Sequence, residues 1–172
     1  MTYLRTAENL PRVLAVLLLY ACEVQSELDG GEKAILDPEY ATQQAQKFAK
    51  PGDLAGIFRF FSTLEILTPQ WCSLLAAAET PVFPEGTRKL ARYFVERYWL
   101  QAVSDYDLMG RVKFAVLSCI LICALPGDFC RNAQLYSKEI ENSCTNVEAI
   151  LDGAYADPAF TDLSLLGLLS NS

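Results

Sequence analysis

The sequence predicts an all-α fold, a single-domain bundle of about eight or nine helices around a central apolar helix at about residues 106–125. Three observations support this prediction. Apolar residues recur with a period of about 3.6 and almost never alternate, which is typical of amphipathic helices. Proline directly follows a capping residue at Asp37, Thr68 and Asp157. The segment 114–125 is apolar on every side, so none of its faces suits water.

The helices can be assigned in chain order from these signals. Asp29-Gly30-Gly31 ends the first helix, because glycine tolerates the left-handed conformation that follows a helix. The three capping residue and proline pairs begin the second, fourth and ninth helices, since the side chain accepts a bond from a free amide and proline loses none. We expect helices at residues 10–28, 39–49, 53–66, 69–79, 85–103, 106–125, 129–142, 146–155 and 158–169.

The second half of the chain carries further boundary signals. Pro84-Glu85 is expected to begin the fifth helix, and Pro126-Gly127 to end the central one. Thr145 and Glu148 have the spacing of a capping box and are expected to begin the eighth helix. Ser118 is the one clearly polar residue of the segment 114–125, which therefore should lie at the centre of the bundle.

Composition limits both the architecture and the partners. The 172 residues, of which 52% are hydrophobic, suit one packed domain over residues 1–172. The net charge of −7 disfavours nucleic-acid binding, which requires a cationic surface. The hydrophobic segments 13–22 and 114–125 are shorter than the ~20 residues that a membrane-spanning helix needs. The first is also a poor signal peptide, so we expect a cytoplasmic protein with neither nucleic acid nor membrane as a partner.

The sequence excludes several catalytic classes. It contains no histidine, which rules out Ser-His-Asp and Cys-His arrangements, and no glycine-rich phosphate-binding loop. Cys119 and Cys123 share a helix face and could hold two corners of a metal site, but a closed zinc or iron–sulfur site needs about four ligands. We interpret both as buried apolar residues and expect no metal or iron–sulfur centre in this chain.

Charged residues near the centre of the sequence allow two interpretations. Arg97 falls on the apolar stripe of its helix with Leu90 and Phe94, so its guanidinium must be paired or must reach a cavity. It either forms a structural ion pair or contacts a ligand, and Arg111 invites the same two interpretations. The pairs Asp105 with Asp107 and Glu139 with Glu141 are the natural partners, although paired carboxylates are common on solvated helix ends.

Four runs of residues together resemble a known family. They are LARYFVERYWLQAV at 90–103, DYDLMGRVKFAVLS at 105–118, QLYSKEIENS at 134–143 and NVEAI at 146–150. In order and spacing they resemble the C-terminal helical region of flagellin lysine-N-methylases, and the resemblance covers about residues 85–151. It implies transfer of a methyl group from S-adenosylmethionine to lysine side chains of flagellin.

The resemblance also implies roles for particular residues. Acidic and tyrosyl groups would orient the lysine ammonium and remove its proton, and arginines would hold the carboxylate of the methyl donor. The implied catalytic residues are Asp105, Asp107, Tyr136 and Glu139, and the implied substrate or cofactor contacts are Arg97, Arg111, Lys138 and Asn146. Asn142 departs from the family, which usually has histidine at that position.

The family's N-terminal cysteine-rich region has no counterpart here, so we expect a truncated homologue that is inactive alone. One hypothesis is that the chain is the helical part of a methylase that docks against a cysteine-rich partner segment, and it predicts an open apolar or acidic surface. The alternative, a non-enzymatic interaction module, predicts a sealed polar surface. We expect uncovered apolar surface at Tyr3, Leu4 and the tail leucines, which are Leu163, Leu165, Leu166, Leu168 and Leu169.

Overall fold

The computed structural model of the protein describes residues 9–170, so Tyr3 and Leu4 lie outside the described residues. Within that range the chain is helical and has no strand, which confirms the predicted fold class. We number the helices of eight residues or longer as α1 Leu10–Leu28, α2 Pro38–Phe48, α3 Leu54–Thr63, α4 Pro69–Ala76, α5 Thr87–Tyr98, α6 Leu108–Ala124, α7 Phe129–Tyr136, α8 Cys144–Ala156 and α9 Asp162–Ser170.

Most predicted boundary signals act as expected. The Asp37 carboxylate accepts a hydrogen bond from Tyr40 N at 2.7 Å, and Thr68 accepts one from Trp71 N at 3.4 Å. Gly30 and Gly127 follow α1 and α6 with φ of 89° and 96°, the left-handed conformation that favours glycine. These side chains and glycines therefore define the ends of α1, α2, α4 and α6.

One predicted helix start is wrong. Thr145 and Glu148 form no capping box, because Ser143 is the N-cap of α8 and accepts a bond from Asn146 N at 3.2 Å. The fifth helix begins at Thr87, two residues after the expected start, because Glu85 and Gly86 form a turn.

Three predicted helices are interrupted. The helix expected at 85–103 is α5 followed by a 3₁₀ turn, Trp99–Gln101, and a short α-helical turn, Ala102–Asp105. The helix expected at 129–142 is α7 continued by a π-helical turn, Ser137–Glu141, which buries Glu139. The helix expected at 158–169 is a 3₁₀ turn, Pro158–Phe160, followed by α9. The 3.6-residue period is a poor guide here, since 3₁₀, α and π turns differ little in their sequence pattern.

Helix α6 forms the centre of the bundle, as predicted. All of its residues except Arg111 are buried, and α1, α5 and α8 pack around it. An aromatic cluster closes one side of the core, where the ring of Tyr136 lies 5.8 Å from Phe94, 6.1 Å from Trp71 and 6.5 Å from Phe61. Burial of such large rings dominates the energetics of a core of this size.

The C-terminal leucines are not an uncovered surface, so that prediction is wrong for the tail. Leu165, Leu166 and Leu169 are buried, because α9 packs against α1 and α2. Gly167 approaches the backbone of Lys50 so closely that a Cβ there would overlap the Lys50 carbonyl. None of the helices in the described range 9–170 is both long and apolar enough to cross a membrane.

Candidate functional site

The eight residues singled out in the sequence do not converge on one site. Asp105, Asp107 and Arg111 meet at the start of α6, but the others lie elsewhere. Tyr136, Glu139 and Asn146 are buried in the core, Arg97 lies on the outer side of α5, and Lys138 is exposed. The hydrogen bonds of the buried group decide what it can do chemically.

The carboxylate of Glu139 holds the connection between α3 and α4. It is fully buried and accepts hydrogen bonds from Leu67 N at 2.8 Å and from the Thr68 hydroxyl. Because Thr68 is the N-cap of α4, the same carboxylate helps to fix the start of that helix. Glu139 therefore lies in the core as a structural acceptor, and the expectation that its pair with Glu141 lies on a solvated helix end is wrong.

Asn146 secures the same connection from α8. Its side-chain amide donates to Glu65 O at 2.7 Å and to Glu139 O at 2.9 Å, and its side-chain oxygen accepts from Glu65 N at 2.9 Å. These three bonds pair backbone groups that helices leave free at their ends. The side chain is buried and its bonding capacity is committed to the fold, which leaves little of it for a substrate.

Tyr136 is enclosed by the aromatic cluster and pairs with the central helix. Its hydroxyl lies 2.6 Å from the Ser118 hydroxyl, which also donates to Phe114 O at 2.7 Å. Complete burial raises the pKa of Tyr136 well above its usual value. A neutral phenol inside the core cannot accept a proton from a lysine at the surface.

Arg97 lies at the edge of the bundle, outside the buried stripe of α5 on which the sequence places it. Its side chain is 49% exposed, and its Nε lies 3.5 Å from Oε1 of Glu141, whose side chain is only 3% exposed. The same oxygen accepts hydrogen bonds from the hydroxyls of Tyr93 and Tyr98 at 3.0 and 3.1 Å. Burial and the Glu141 carboxylate raise the pKa of both phenols. Arg97 thus forms a structural ion pair.

The remaining predicted residues meet where α6 begins. Arg111 donates to Asp105 through Nη2, and this bond lowers the pKa of the Asp105 carboxyl. Asp107 caps α6 by accepting from Gly110 N at 2.8 Å, and it also accepts from the Tyr155 hydroxyl. The Nε of Arg111 is buried and has no hydrogen-bond partner in residues 9–170.

Sequence reasoning missed several members of this group. Lys113, which is buried, donates to Ala154 O at 2.8 Å and lies 2.7 Å from Oδ1 of Asp162. Gln25 accepts from Leu108 N at 2.9 Å and donates to Tyr106 O at 3.0 Å. A lysine near the start of an otherwise mostly apolar helix was the available signal. We define the polar corner by Gln25, Asp29, Asp105, Asp107, Arg111, Lys113, Tyr155 and Asp162.

An open cavity of about 590 Å³ lies at the polar corner, between α1 and α6. Its lining includes Cys22, whose thiol lies 3.6 Å from Oδ2 of Asp162. Burial, reinforced by the Asp162 charge, raises the pKa of this thiol to about 12, so it is not a nucleophile near neutral pH. The cavity offers acidic groups and a neutral thiol.

The two cysteines of α6 are buried in the core. The Cys123 thiol contacts the Thr87 hydroxyl at 3.2 Å, and burial raises its pKa to about 11. Cys119 is fully buried, which raises its pKa well above the usual value. Protonated thiols packed in this way behave as small apolar side chains and not as metal ligands.

An exposed surface adjoins the polar corner. Residues 27–40 comprise the end of α1, the connection and the start of α2. This segment exposes Leu28, Ile35, Leu36 and Tyr40, which are 51%, 50%, 56% and 40% accessible. We call the exposed side chains of residues 27–40 the α1–α2 surface. It consists of different residues from the tail leucines at 163–169, and it was not predicted from the sequence.

The two arginines expected to hold S-adenosylmethionine both have acidic partners within this chain. Arg97 is paired with Glu141 and Arg111 with Asp105, so both guanidinium groups already face carboxylates.

No known family model matches the chain, and neither a curated protein nor a solved structure is detectably similar to it.

Proposed function

We propose that this chain is a helical docking domain that has no catalytic activity of its own and acts by binding a second polypeptide. The α1–α2 surface carries this proposal, because soluble helical domains seldom leave several large apolar side chains open within one short segment unless a partner covers them. The buried bonds of Tyr136, Glu139 and Asn146 support it as well. These bonds give the three side chains structural roles and leave none of them as a free acid or base.

The resemblance extends this proposal to a particular reaction. In that extension the second polypeptide is a cysteine-rich segment that binds S-adenosylmethionine, and the assembly methylates lysine side chains of flagellin. The present chain would supply the acidic polar corner, where Asp107 attracts a lysine ammonium. An open surface of apolar and acidic residues is what the methylase hypothesis predicts.

A non-enzymatic interaction module remains the second candidate. The specific observation in its favour is that Arg97 and Arg111 are each neutralised by a carboxylate of the same chain. A module of this kind would bind its partner without any methyl donor. The open α1–α2 surface departs from the sealed polar surface expected of such a module. As proposed here, this candidate uses the same docking surface and differs in that its assembly transfers no methyl group.

Calorimetric titration with S-adenosylmethionine and a methylation assay on flagellin separate these candidates. We expect neither binding nor methylation from the chain alone. Under the methylase proposal, adding a cysteine-rich family segment restores methylation, and a variant altered on the α1–α2 surface, Glu32→Lys with Leu36→Ser, abolishes that gain. Methylation by the chain alone would refute a docking role, and a stable complex without methylation would favour the non-enzymatic module.

A further inference from the structure

The α1–α2 surface combines apolar groups with a strong negative charge. Between residues 27 and 40 there are five acidic residues and one lysine, which gives −4 of the chain's net −7. The acidic side chains Asp29, Glu32 and Glu39 are exposed among the apolar groups Leu28, Ile35, Leu36 and Tyr40. Such a surface attracts cations and offers apolar contact at the same place.

The acidic residues at the end of α1 lie where the helix dipole disfavours negative charge. The C-terminus of α1 carries the negative end of the helix dipole, yet its last turn holds Glu27 and no basic residue, and Asp29 is the C-cap. Acidic residues at this end are unfavourable, because they are repelled by the negative end of the dipole. Glu27 and Asp29 therefore concentrate negative electrostatic potential at the exposed end of α1. A cationic partner would reduce this repulsion.

The segment is held in place before any partner binds. Glu27 accepts a hydrogen bond from Ala34 N at 2.8 Å, and Glu23 accepts one from Ile35 N at 3.2 Å. At its far end, Asp37 caps α2. Because these bonds fix the backbone, binding costs less conformational entropy than it would for a free loop.

Tyr106 is an exposed aromatic residue whose backbone is bonded to the last part of α1. It is the only residue other than glycine with positive φ in the described range 9–170, at 60°, and it is 69% exposed. The Gln25 side-chain amide donates both to Tyr106 O at 3.0 Å and to Asp29 Oδ1 at 3.1 Å, which ties Tyr106 to the acidic end of α1. A bulky residue in this conformation costs stability, which favours a role for its ring outside the fold.

We propose that the α1–α2 surface, together with Tyr106, binds a basic amphipathic segment of a partner protein. The apolar face of that segment packs on Leu28, Ile35, Leu36 and the Tyr106 ring, and its lysine or arginine side chains face the exposed carboxylates. This inference rests on the proposed docking function and specifies the chemistry of the partner. Exposed aromatic and aliphatic anchors within a charged surface are typical of protein interaction sites.

Fluorescence anisotropy with three labelled peptides tests the proposal on the full chain. The first peptide places leucine and lysine at amphipathic helical spacing, the second replaces lysine with glutamate, and the third has the first composition in scrambled order. We expect the first to bind at least about tenfold more tightly than the others, and more weakly as salt rises from about 50 to about 300 mM.

The matched variants localise the binding. Glu32→Lys with Leu36→Ser should weaken binding of the basic peptide at least about tenfold. Glu148→Lys with Leu67→Ser makes the same changes at exposed positions elsewhere and should leave it unchanged. Circular dichroism should show that both variants keep the helical content of the parent.

Each other outcome counts against the inference. Tighter binding of the acidic peptide, localised by the same variants, would overturn the partner chemistry and leave the docking function in place. Equal binding of the scrambled peptide would overturn the apolar contact. If no peptide binds, or if both double variants behave alike, the α1–α2 surface is not the site, whereas the methylation and complex-formation assays still decide the docking function separately.

Discussion

Replacing Glu139 with alanine should destabilise the fold even though the family-like motif suggests a catalytic role. The substitution removes the acceptor of two hydrogen bonds, from Leu67 N at 2.8 Å and from the Thr68 hydroxyl. Hydrogen bonds to charged groups contribute about 1.5–3 kcal/mol each. Because Leu67 is exposed and water replaces part of the lost bonding, we take the lower value, and two bonds then give about 3 kcal/mol.

Urea unfolding and thermal unfolding, both followed by circular dichroism, measure this loss. For a domain of this size, a change of about 3 kcal/mol lowers Tm by roughly 6–12 °C. Glu139→Gln should lose only about 1 kcal/mol, because the amide oxygen still accepts from Leu67 N and the Thr68 hydroxyl can accept from the amide nitrogen. Glu148→Ala, at an exposed position of α8, is the control and should change stability by less than about 0.5 kcal/mol.

The structural assignment would be refuted if Glu139→Ala unfolded at the same urea concentration as the Glu148→Ala control. A double-mutant cycle with Thr68→Ala sharpens the test. We expect a coupling energy of about 1–2 kcal/mol between Glu139 and Thr68, because the two side chains bond directly. Additive effects would mean that the Glu139 carboxylate acts through other groups.

Three further predictions follow from the packing. Gly167→Ala should lower the free energy of unfolding by at least about 2 kcal/mol in urea titration, because the added Cβ overlaps the Lys50 carbonyl; an unchanged midpoint would show that α9 can shift. Tyr106→Gly should raise the free energy of unfolding by about 1 kcal/mol or less, because it relieves the left-handed backbone strain. The same change should weaken binding of the basic peptide in the anisotropy assay. Unchanged binding would exclude the ring as an anchor. Burial raises the pKa of Cys123 from its usual 9.0 to about 11, so the contribution of the protonated thiol to stability is complete below pH 9.0 and is lost as pH rises toward 11. Cys123→Ala should flatten this alkaline decline in thermal stability. An identical decline in the variant would contradict the assignment.

The fold class was predictable from sequence because its signals are local. The period of apolar residues, the caps at Asp37 and Thr68, and the turns at Gly30 and Gly127 each act within a few residues. The central position of α6 was also predictable, since a helix without a polar face must be buried on all sides. These features need no knowledge of which segments pack together.

The candidate site was not predictable in the same way, because its contacts join distant parts of the chain. Glu139 bonds to a connection far earlier in the sequence, and Asn146 does the same. The lone charge of Lys113 signals that a partner exists, but nothing local identifies that partner as Asp162. The exposed apolar side chains of segment 27–40 were not predicted, because a mixture of acidic and apolar residues is also typical of an ordinary loop.

The polar residues of the family-like motif show why a motif can predict a fold better than it predicts an activity. Glu139 and Asn146 are buried and bonded to backbone groups, so the same side chains would be needed in any protein that keeps this connection between α3 and α4. Asp105, in contrast, is 39% exposed and pairs with the 14% exposed side chain of Arg111, so this pair is open to solvent on the Asp105 side. If the proposed methylase function holds, it should depend on Asp105 and Arg111, and Asp105→Asn should lower partner or substrate binding while the helical content measured by circular dichroism stays intact.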